Sequence, residues 1–333
     1  MLFNRFYRFS SRLKGLLVCG LVLASFSFAL PAFSQGGYIS QAVLKEMLDY
    51  RIENIEELPE VYYNYFALYN RRKNNVMARN TLFKVLGDGD LMLGKKRSKL
   101  VELLNRKLVP NTAIGDTLII PSEFETDFRA YSPFPLFYPG GANFEKLFII
   151  EKSLQAFAAY QNGNLVRWGI VNTGSQESRT PNGRYNFNWK TEYRVSSLSP
   201  PGEPWEMYWV FNFHLARGIH THQYAMPTGG PTSHGCVRLI DADAEWVYNW
   251  AETWRTTSAK KGFPTSYGRI VEPGTVVLVI GEDPAPGESP QPFVFESRYP
   301  VLKRIMLPAH PYDIPAGTPQ QEYFDKLRLS SID

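Results

Sequence analysis

Short apolar segments separated by turn signals, between residues 145 and 281, constrain the fold more than any other feature of this sequence. Asn162 and Gly163 stand between two of these segments, and Asn-Gly between apolar runs is the strongest short-range signal for a β-hairpin. The apolar or aromatic segments lie at 147–150, 155–160, 165–171, 206–215 and 274–280. Because these runs have the length of strands rather than helices, the sequence predicts a mostly β domain.

Other parts of the chain have helical patterns. Residues 40–57 repeat apolar residues at helical spacing, and residues 60–105 continue with shorter helical patterns. After Cys236, the acidic segment 241–247 opens a further helix, because Asp is a preferred N-cap and acidic residues in the first turn suit the helix dipole. The predicted class is α+β: a mostly β domain with a helix after Cys236, preceded by a largely helical N-terminal region.

Changes in composition divide the chain into four segments. A Pro- and Gly-rich run at 132–141 is typical of a linker, and residues 283–319 carry nine prolines. This tail is expected to extend or to wrap the surface, with a short helix at 319–328. The expected segments are a signal peptide at 1–34, an N-terminal accessory region at 35–141, a catalytic domain at 142–282 and a proline-rich C-terminal extension at 283–333.

The N-terminus has the three-part pattern of a secretory signal. Residues 1–14 carry four basic residues and no acid, residues 16–30 are apolar, and residues 32–34 place small side chains at the spacing of a cleavage site. The apolar stretch is short for a spanning helix, which needs about 20 residues, so cleavage is favoured over a retained anchor. The pattern predicts secretion across the inner membrane, into the periplasm or cell envelope.

The positive charge of the chain belongs to this signal. The full sequence has 36 basic and 32 acidic residues, a net charge of +4. Without the four basic residues of the signal, the charges balance, and the sequence has no block of Lys and Arg of the kind that binds nucleic acid. The sequence therefore predicts no nucleic-acid partner.

Residues 114–121 combine a Gly-Asp turn with a short apolar strand that ends in a proline. This segment faintly resembles the end of a LysM carbohydrate-binding module, but the opening half of such a module is not recognisable. A plain helix–turn–strand unit is the preferred interpretation.

Cys236 is the chemically most informative residue, because the second cysteine, Cys19, lies inside the expected signal peptide. A secreted chain with one remaining thiol has no internal disulfide partner, so a reactive role is plausible. A thiolate is the nucleophilic form of cysteine, and a nearby imidazole such as His220 can accept the proton. Gly235 leaves the backbone open, so the amides of Gly235 and Cys236 are candidates for an oxyanion hole.

The same residues resemble a known family. Ile219-His220, followed by Ser-His-Gly-Cys-Val-Arg at 233–238, is similar to the signature of L,D-transpeptidase (YkuD-like) catalytic domains. Asn-Thr-Gly at 172–174 and Thr-Pro-x-Gly at 180–183 extend the match, which covers roughly residues 145–281. The resemblance implies a mostly β catalytic domain that acts on bacterial cell-wall peptides and needs neither a cofactor nor a metal.

The family also implies roles for single residues. Cys236 would attack the carbonyl of the third stem-peptide residue in a peptidoglycan tetrapeptide and expel the terminal D-Ala. His220 would be the general base, the backbone carbonyl of Thr221 would orient its ring, and the amide of Gly235 would serve the oxyanion. A carbapenem-type β-lactam would be expected to acylate Cys236.

Four further residues are candidates for substrate binding. Arg238 falls where the family has Asn or Arg, and would steady the nucleophile loop or contact a substrate carboxylate. His234 would shape the pocket, together with Ser233. His222 departs from the small or polar residue that the family has there, and its role stays open between a second proton carrier and a groove-lining side chain.

Several functions remain open at this level. The acyl group could pass to an amine of another stem peptide, to a protein amine or to water, which correspond to cross-linking, protein anchoring and L,D-carboxypeptidase activity. The pairs His220/His222 and His234/Cys236 also offer four possible ligands for a tetrahedral zinc ion, although this spacing is not a usual zinc motif. A non-catalytic wall-binding protein is the third class.

Overall fold

The computed structural model describes residues 58–225, 230–257, 270–285, 294–295 and 298–330, all within one unit, Gly36–Asp333. The expected signal peptide at 1–34 and the predicted helix at 40–57 lie outside the described residues. Among the described helices, none combines the length and the apolar character that a membrane crossing requires.

The described residues form four α-helices and fifteen strands. The helices are α1 (Asn75–Leu86), α2 (Leu91–Asn105), α3 (Asp241–Trp250) and α4 (Pro319–Ser330). The first eight strands are β1 (Tyr63–Ala67), β2 (Thr117–Pro121), β3 (Leu147–Glu151), β4 (Ala156–Gln161), β5 (Asn164–Ile170), β6 (Gly183–Asn186), β7 (Lys190–Val195) and β8 (Glu206–His214). The others are β9 (Ile219–Gln223), β10 (Val237–Leu239), β11 (Arg255–Thr256), β12 (Ile270–Glu272), β13 (Val276–Ile280), β14 (Val294–Phe295) and β15 (Val301–Leu302). The predicted α+β class, with a mostly β domain, is confirmed.

The described N-terminal part is a βααβ unit. Strands β1 and β2 pair antiparallel, and α1 and α2 lie between them in sequence and pack against each other. Asn74 and Asp90 cap the two helices by accepting hydrogen bonds from backbone amides of the first turn. The helix–turn–strand interpretation was therefore incomplete. It missed β1 because only Tyr63 of that strand is buried, so the strand has no alternating apolar pattern.

The centre of the molecule is a five-stranded sheet in the order β5-β4-β3-β13-β6. The predicted hairpin is present, because β4 and β5 pair antiparallel across Asn162 and Gly163. Both turn residues have positive φ, 49° and 81°, which the tight hairpin turn requires and which Asn and Gly tolerate best. The parallel pair β3–β13 joins segments of the chain that lie more than 120 residues apart.

Strand β3 is buried on both faces, which explains its continuous apolar sequence. Leu147 and Ile149 point into a core shared with the N-terminal region. Phe148 and Ile150 point into a second core shared with the other large sheet and α3. Because neighbouring side chains of a strand alternate between faces, a strand with a core on each side needs apolar residues throughout.

The second large sheet has the order β10-β9-β8-β7. Strand β9 pairs antiparallel with β8 and parallel with β10. Helix α3 follows β10 as predicted, but its N-cap is Ile240, and Asp241 lies inside the first turn rather than capping it. Asp243 stabilises the fold, since its carboxylate accepts a 2.7 Å hydrogen bond from the buried Arg167.

The C-terminal tail is anchored to the central sheet. Helix α4 lies where a short helix was expected, and its Asp325 accepts two hydrogen bonds from the buried guanidinium of Arg184 on β6, at 2.7 and 2.6 Å. The backbone of Arg184 also bonds to Pro315 and Gly317 of the segment before α4. The tail is therefore an integral part of the fold and not a loose extension.

Candidate active site

The parallel pairing of two short strands brings Cys236 beside His220. His220 is the second residue of β9, and Cys236 immediately precedes β10. Val237 pairs with Thr221 across these strands, so Cys236 comes level with His220. The Sγ atom of Cys236 lies 3.6 Å from Nδ1 of His220, a separation suited to proton transfer between thiol and imidazole.

Ser233 holds the loop that carries Cys236. Its Oγ donates a 2.5 Å hydrogen bond to the backbone carbonyl of Cys236 and accepts a 3.0 Å hydrogen bond from the amide of Gly235. Gly235 has φ +114°, a conformation that side chains disfavour, so a glycine is required here. Ser233 is buried in the wall of the pocket, and both hydrogen bonds of its hydroxyl stabilise the loop.

The hydroxyl of Thr180 fixes the same loop from the opposite side. It donates a 2.7 Å hydrogen bond to the carbonyl of Gly235 and accepts one of 2.9 Å from the amide of Gly174. A Cβ atom on Gly174 would lie 2.9 Å from the Cα of Gly235, so this close approach needs a glycine. The Asn-Thr-Gly and Thr-Pro-x-Gly motifs therefore meet at the nucleophile loop.

Burial keeps the imidazole of His220 neutral. Only 6% of the residue is exposed, and desolvation lowers its pKa to about 3, with smaller contributions from His222 and Arg194. The ring also meets Trp189 edge-on, at a centroid distance of 5.1 Å. A neutral imidazole with Nδ1 towards the thiol is the form that can accept a proton.

The thiol of Cys236 is also neutral at rest. The residue keeps some exposed surface, but protein atoms surround the sulfur, and this burial raises the pKa of the thiol. The contact with His220 and the charges of Arg238 and Arg194 oppose that shift. The resting pair is therefore a neutral thiol beside a neutral imidazole whose Nδ1 can accept a proton.

The two candidate amides for an oxyanion hole are not equivalent. The amide of Gly235 already donates a hydrogen bond to Ser233. It is therefore not available to an oxyanion, which differs from the expected role of this amide. The amide of Cys236 makes no hydrogen bond with any residue in the described ranges. Of the two amides, the Cys236 amide is therefore the one available to donate to an oxyanion.

The expected contact between the carbonyl of Thr221 and the ring of His220 is not made in this structure. The Nε2 atom of His220 is buried and has no hydrogen-bond partner among the described residues. Thr221 belongs to a central strand that pairs on both sides, with Phe211 and with Val237, so its backbone groups are directed into the sheet.

The pair opens into a pocket of about 700 Å³. His222 lies in its wall, buried, with Nδ1 2.8 Å from the carbonyl of Gln223, and burial lowers its pKa to about 4. The exposed ring of His234 stacks on Trp205 at 5.2 Å. The guanidinium of Arg238 lies 4.1 Å from the ring centroid of Tyr224. The side chains of His222, His234 and Arg238 therefore belong to the pocket wall. The histidine that contacts the thiol is His220.

Residues 145–279 match the family model of the L,D-transpeptidase catalytic domain, YkuD. This segment is a YkuD domain. The match includes His220 and Cys236 and confirms the resemblance that the Ser-His-Gly-Cys motif indicated.

Solved structures with some likeness to the chain include three L,D-transpeptidases. They come from Mycobacterium smegmatis (18% identity, covering 41% of this chain and 59% of that one, TM-score 0.32), Mycobacterium tuberculosis (L,D-transpeptidase 1; 17%, 41% and 62%, TM-score 0.31) and Stackebrandtia nassauensis (20%, 43% and 58%, TM-score 0.31). The chain thus spans about three fifths of the length of these structures. No curated protein sequence matches it significantly.

The four side chains considered as zinc ligands are not arranged as a metal site in the YkuD domain. Among the described residues, no three of His, Cys, Asp and Glu converge as a group that could hold a metal ion. His222 is turned to a backbone carbonyl and His234 to an indole ring, so the two pairs of the motif do not converge.

The YkuD domain contains site residues to which the sequence assigned no role. Thr180 lies in a motif that was recognised, but its bond to the loop could not be inferred from spacing. Trp189, Arg194 and Arg217 line the pocket and lie outside the motifs. Their signal in the sequence is weak, since aromatic and basic residues are common on exposed strands and turns.

Proposed function

We propose that this chain is a cysteine-dependent L,D-transpeptidase that uses peptidoglycan tetrapeptide stems as acyl donors. The observation that carries the proposal is the 3.6 Å approach of the Cys236 thiol to Nδ1 of a neutral His220, at the edge of a pocket within a YkuD domain. The Cys236 amide, which no described residue uses, adds a donor for the oxyanion.

In the first half-reaction, Nδ1 of His220 takes the proton of Sγ, and the thiolate attacks the carbonyl carbon of the third stem residue. The negative charge that develops on oxygen faces the amide of Cys236. As the tetrahedral intermediate collapses, the carbon–nitrogen bond to the terminal D-Ala breaks, and the imidazolium returns its proton to the leaving amine. A thioester remains on Cys236.

In the second half-reaction, an amine of another stem peptide attacks the thioester. Neutral His220 accepts the proton of the attacking amine, and the carbon–sulfur bond breaks to release Cys236 as a thiol after reprotonation. The product is a stem-to-stem cross-link. A protein amine in the same role would anchor that protein, and water would give the L,D-carboxypeptidase reaction.

The cellular site of this reaction is proposed from the N-terminal sequence. The basic, apolar and small-residue segments within residues 1–34 support export to the periplasm or cell envelope, where peptidoglycan is found. Extraction of the mature protein from an envelope fraction, with a new N-terminus close to residue 35, would support export. Retention of residues 1–34 in the cytoplasm would contradict it.

The decisive experiment incubates the purified protein with a disaccharide-tetrapeptide as the only substrate and analyses the products by mass spectrometry. Dimers joined between two third-position residues support transpeptidation. Tripeptides without dimers, even at high substrate concentration, identify the carboxypeptidase instead. The matched control is Cys236→Ala, which should give neither product. Turnover by a well-folded Cys236→Ala protein would exclude the thioester route.

A further inference from the structure

The described walls of the active-site pocket carry positive charge and no carboxylate. Arg194, Arg217 and Arg238 line the pocket, and no Asp or Glu of the described residues does so. Burial lowers the pKa of His220 and of His222 and raises the pKa of the Cys236 thiol, so these three groups of the wall are uncharged at neutral pH. A pocket with one sign of charge attracts ligands of the opposite sign.

Arg194 reaches the reacting pair from β7. Its guanidinium lies 5.2 Å from the ring centroid of Trp189, and Trp189 in turn contacts His220. A guanidinium that stacks by its face keeps its in-plane N–H donors available at the edge. No carboxylate in the described ranges forms an ion pair with Arg194, so its donors have no anionic partner among these residues.

Arg217 lines the same pocket from the turn between β8 and β9. The next residue is Gly218, whose carbonyl oxygen lies 3.9 Å from Sγ of Cys236. Arg217 is exposed, and among the described residues its side chain forms no ion pair with a carboxylate either. Two guanidinium groups from separate elements thus belong to the wall of the pocket that a substrate would fill.

We propose that Arg194 and Arg217 form a carboxylate-binding subsite, which makes the enzyme select stem peptides whose carboxyl groups are free over stem peptides in which they are amidated. The inference rests on the proposed function, because it names the substrate class of that same pocket. A guanidinium matches a carboxylate with two parallel N–H···O bonds, whereas a primary amide is neutral and presents a single acceptor oxygen. The two residues are therefore specificity residues and not part of the proton-transfer pair.

The test compares two disaccharide-tetrapeptides that differ only in free or amidated carboxyl groups of the second and third residues. We expect kcat/KM of the wild-type protein to be at least about tenfold higher for the free form, the usual effect of one charge-assisted hydrogen bond. Arg194→Gln and Arg217→Gln should each lower kcat/KM for the free form about tenfold more than for the amidated form. Equal losses on both substrates would overturn the proposal.

Equilibrium binding to Cys236→Ala protein, with and without Arg194→Gln or Arg217→Gln, measures the same preference without turnover. A binding preference for the free form that is lost on replacing either arginine supports the subsite. This holds even if the wild-type protein catalyses no reaction, and in that case only the proposed function fails. Turnover without any preference overturns the subsite alone. Arg255→Gln is the matched control, since Arg255 is exposed, pairs with Glu272 and lies outside the pocket.

Discussion

The hydroxyl of Thr180 donates a 2.7 Å hydrogen bond to the backbone carbonyl of Gly235, directly beside the proposed nucleophile. Because the same hydroxyl accepts from the amide of Gly174, one buried side chain joins two backbone segments that are distant in sequence. The position of Cys236 therefore depends on a contact made 56 residues earlier in the chain.

Replacing Thr180 by Val should remove both hydrogen bonds at nearly constant volume. The buried carbonyl of Gly235 and amide of Gly174 would lose a partner, so we expect the free energy of unfolding to fall by about 1–3 kcal/mol. Acylation of Cys236 should slow about tenfold to a hundredfold as the loop shifts. Urea unfolding and single-turnover kinetics measure the two effects. Thr180→Ser, which keeps the hydroxyl, is the control; equal damage by both variants would mean that the methyl group matters more.

His220 should be the general base, because among the histidines that the structure describes it is the one whose ring nitrogen contacts the sulfur. We expect His220→Ala to lower the acylation rate by roughly 10²–10⁴-fold. His234→Ala should have a much smaller effect, since His234 stacks on Trp205 at the exposed rim of the pocket. His222→Ala tests whether His222 acts as a second proton carrier. Near-normal acylation in His220→Ala with loss in His222→Ala would reverse the assignment.

A carbapenem should acylate Cys236. The thiolate would form a carbon–sulfur bond as the lactam carbon–nitrogen bond opens, and no group leaves, so the intact protein should gain one whole drug mass. Mass spectrometry after incubation detects the adduct. Cys236→Ala protein should stay unmodified, and an unmodified wild-type protein under the same conditions would argue against an activated thiol.

Acid should destabilise the protein through its buried histidines. Burial lowers the pKa of His220 to about 3 and of His222 to about 4, against 6.5 for a free histidine. At pH values between the folded and the unfolded pKa, the unfolded chain binds more protons than the folded one. The contribution of the two histidines to the free energy of unfolding is therefore fully present above pH 6.5 and is lost as the pH falls towards 4. Each of the two histidines should lower the free energy of unfolding at pH 5 by about 2 kcal/mol relative to neutral pH.

Urea unfolding at several pH values between 5 and 7.5 measures this loss. His222→Gln should show a shallower dependence on pH than the wild-type protein, because one of the buried histidines no longer titrates. The same slope in both proteins would show that His222 is not kept neutral by burial.

The C-terminal helix should be required for stability. Asp325 pairs with the buried Arg184, whose guanidinium also lies 4.4 Å from the ring centroid of Tyr312. Asp325→Ala would leave a buried charge without its carboxylate, and we expect a loss of about 3 kcal/mol. Thermal unfolding measures it, with Glu322→Ala on the same helix as the control. A melting temperature equal in both variants would mean that α4 contributes little to the fold.

The local features of the fold were predictable, because they depend on residues close together in sequence. The hairpin at Asn162 and Gly163 follows from two residues that tolerate positive φ between apolar runs. Strand β3 follows from an apolar run. By contrast, strand β1 exists only because it pairs with β2, and its exposed side chains give no pattern.

The candidate site was predictable only in part. Cys236 and His220 could be identified from a short motif, and the structure places them in contact. The expected roles of the Gly235 amide and of the Thr221 carbonyl do not match their contacts here. Which hydrogen bond a backbone group makes depends on the loop conformation and on strand pairing, and neither can be read from residue types.

The sequence by itself identified Cys236 and His220 as the candidate pair, and it encoded the strand runs of the YkuD domain and the helix after Cys236, because each belongs to a contiguous pattern. Only the tertiary structure decided that Thr180 holds the loop of Cys236 and that Arg194 and Arg217 line the same pocket. These residues come from different strands and turns, and their proximity depends on how the sheets pack. Such packing depends on contacts between residues that are far apart in sequence, and a contiguous pattern does not encode these contacts.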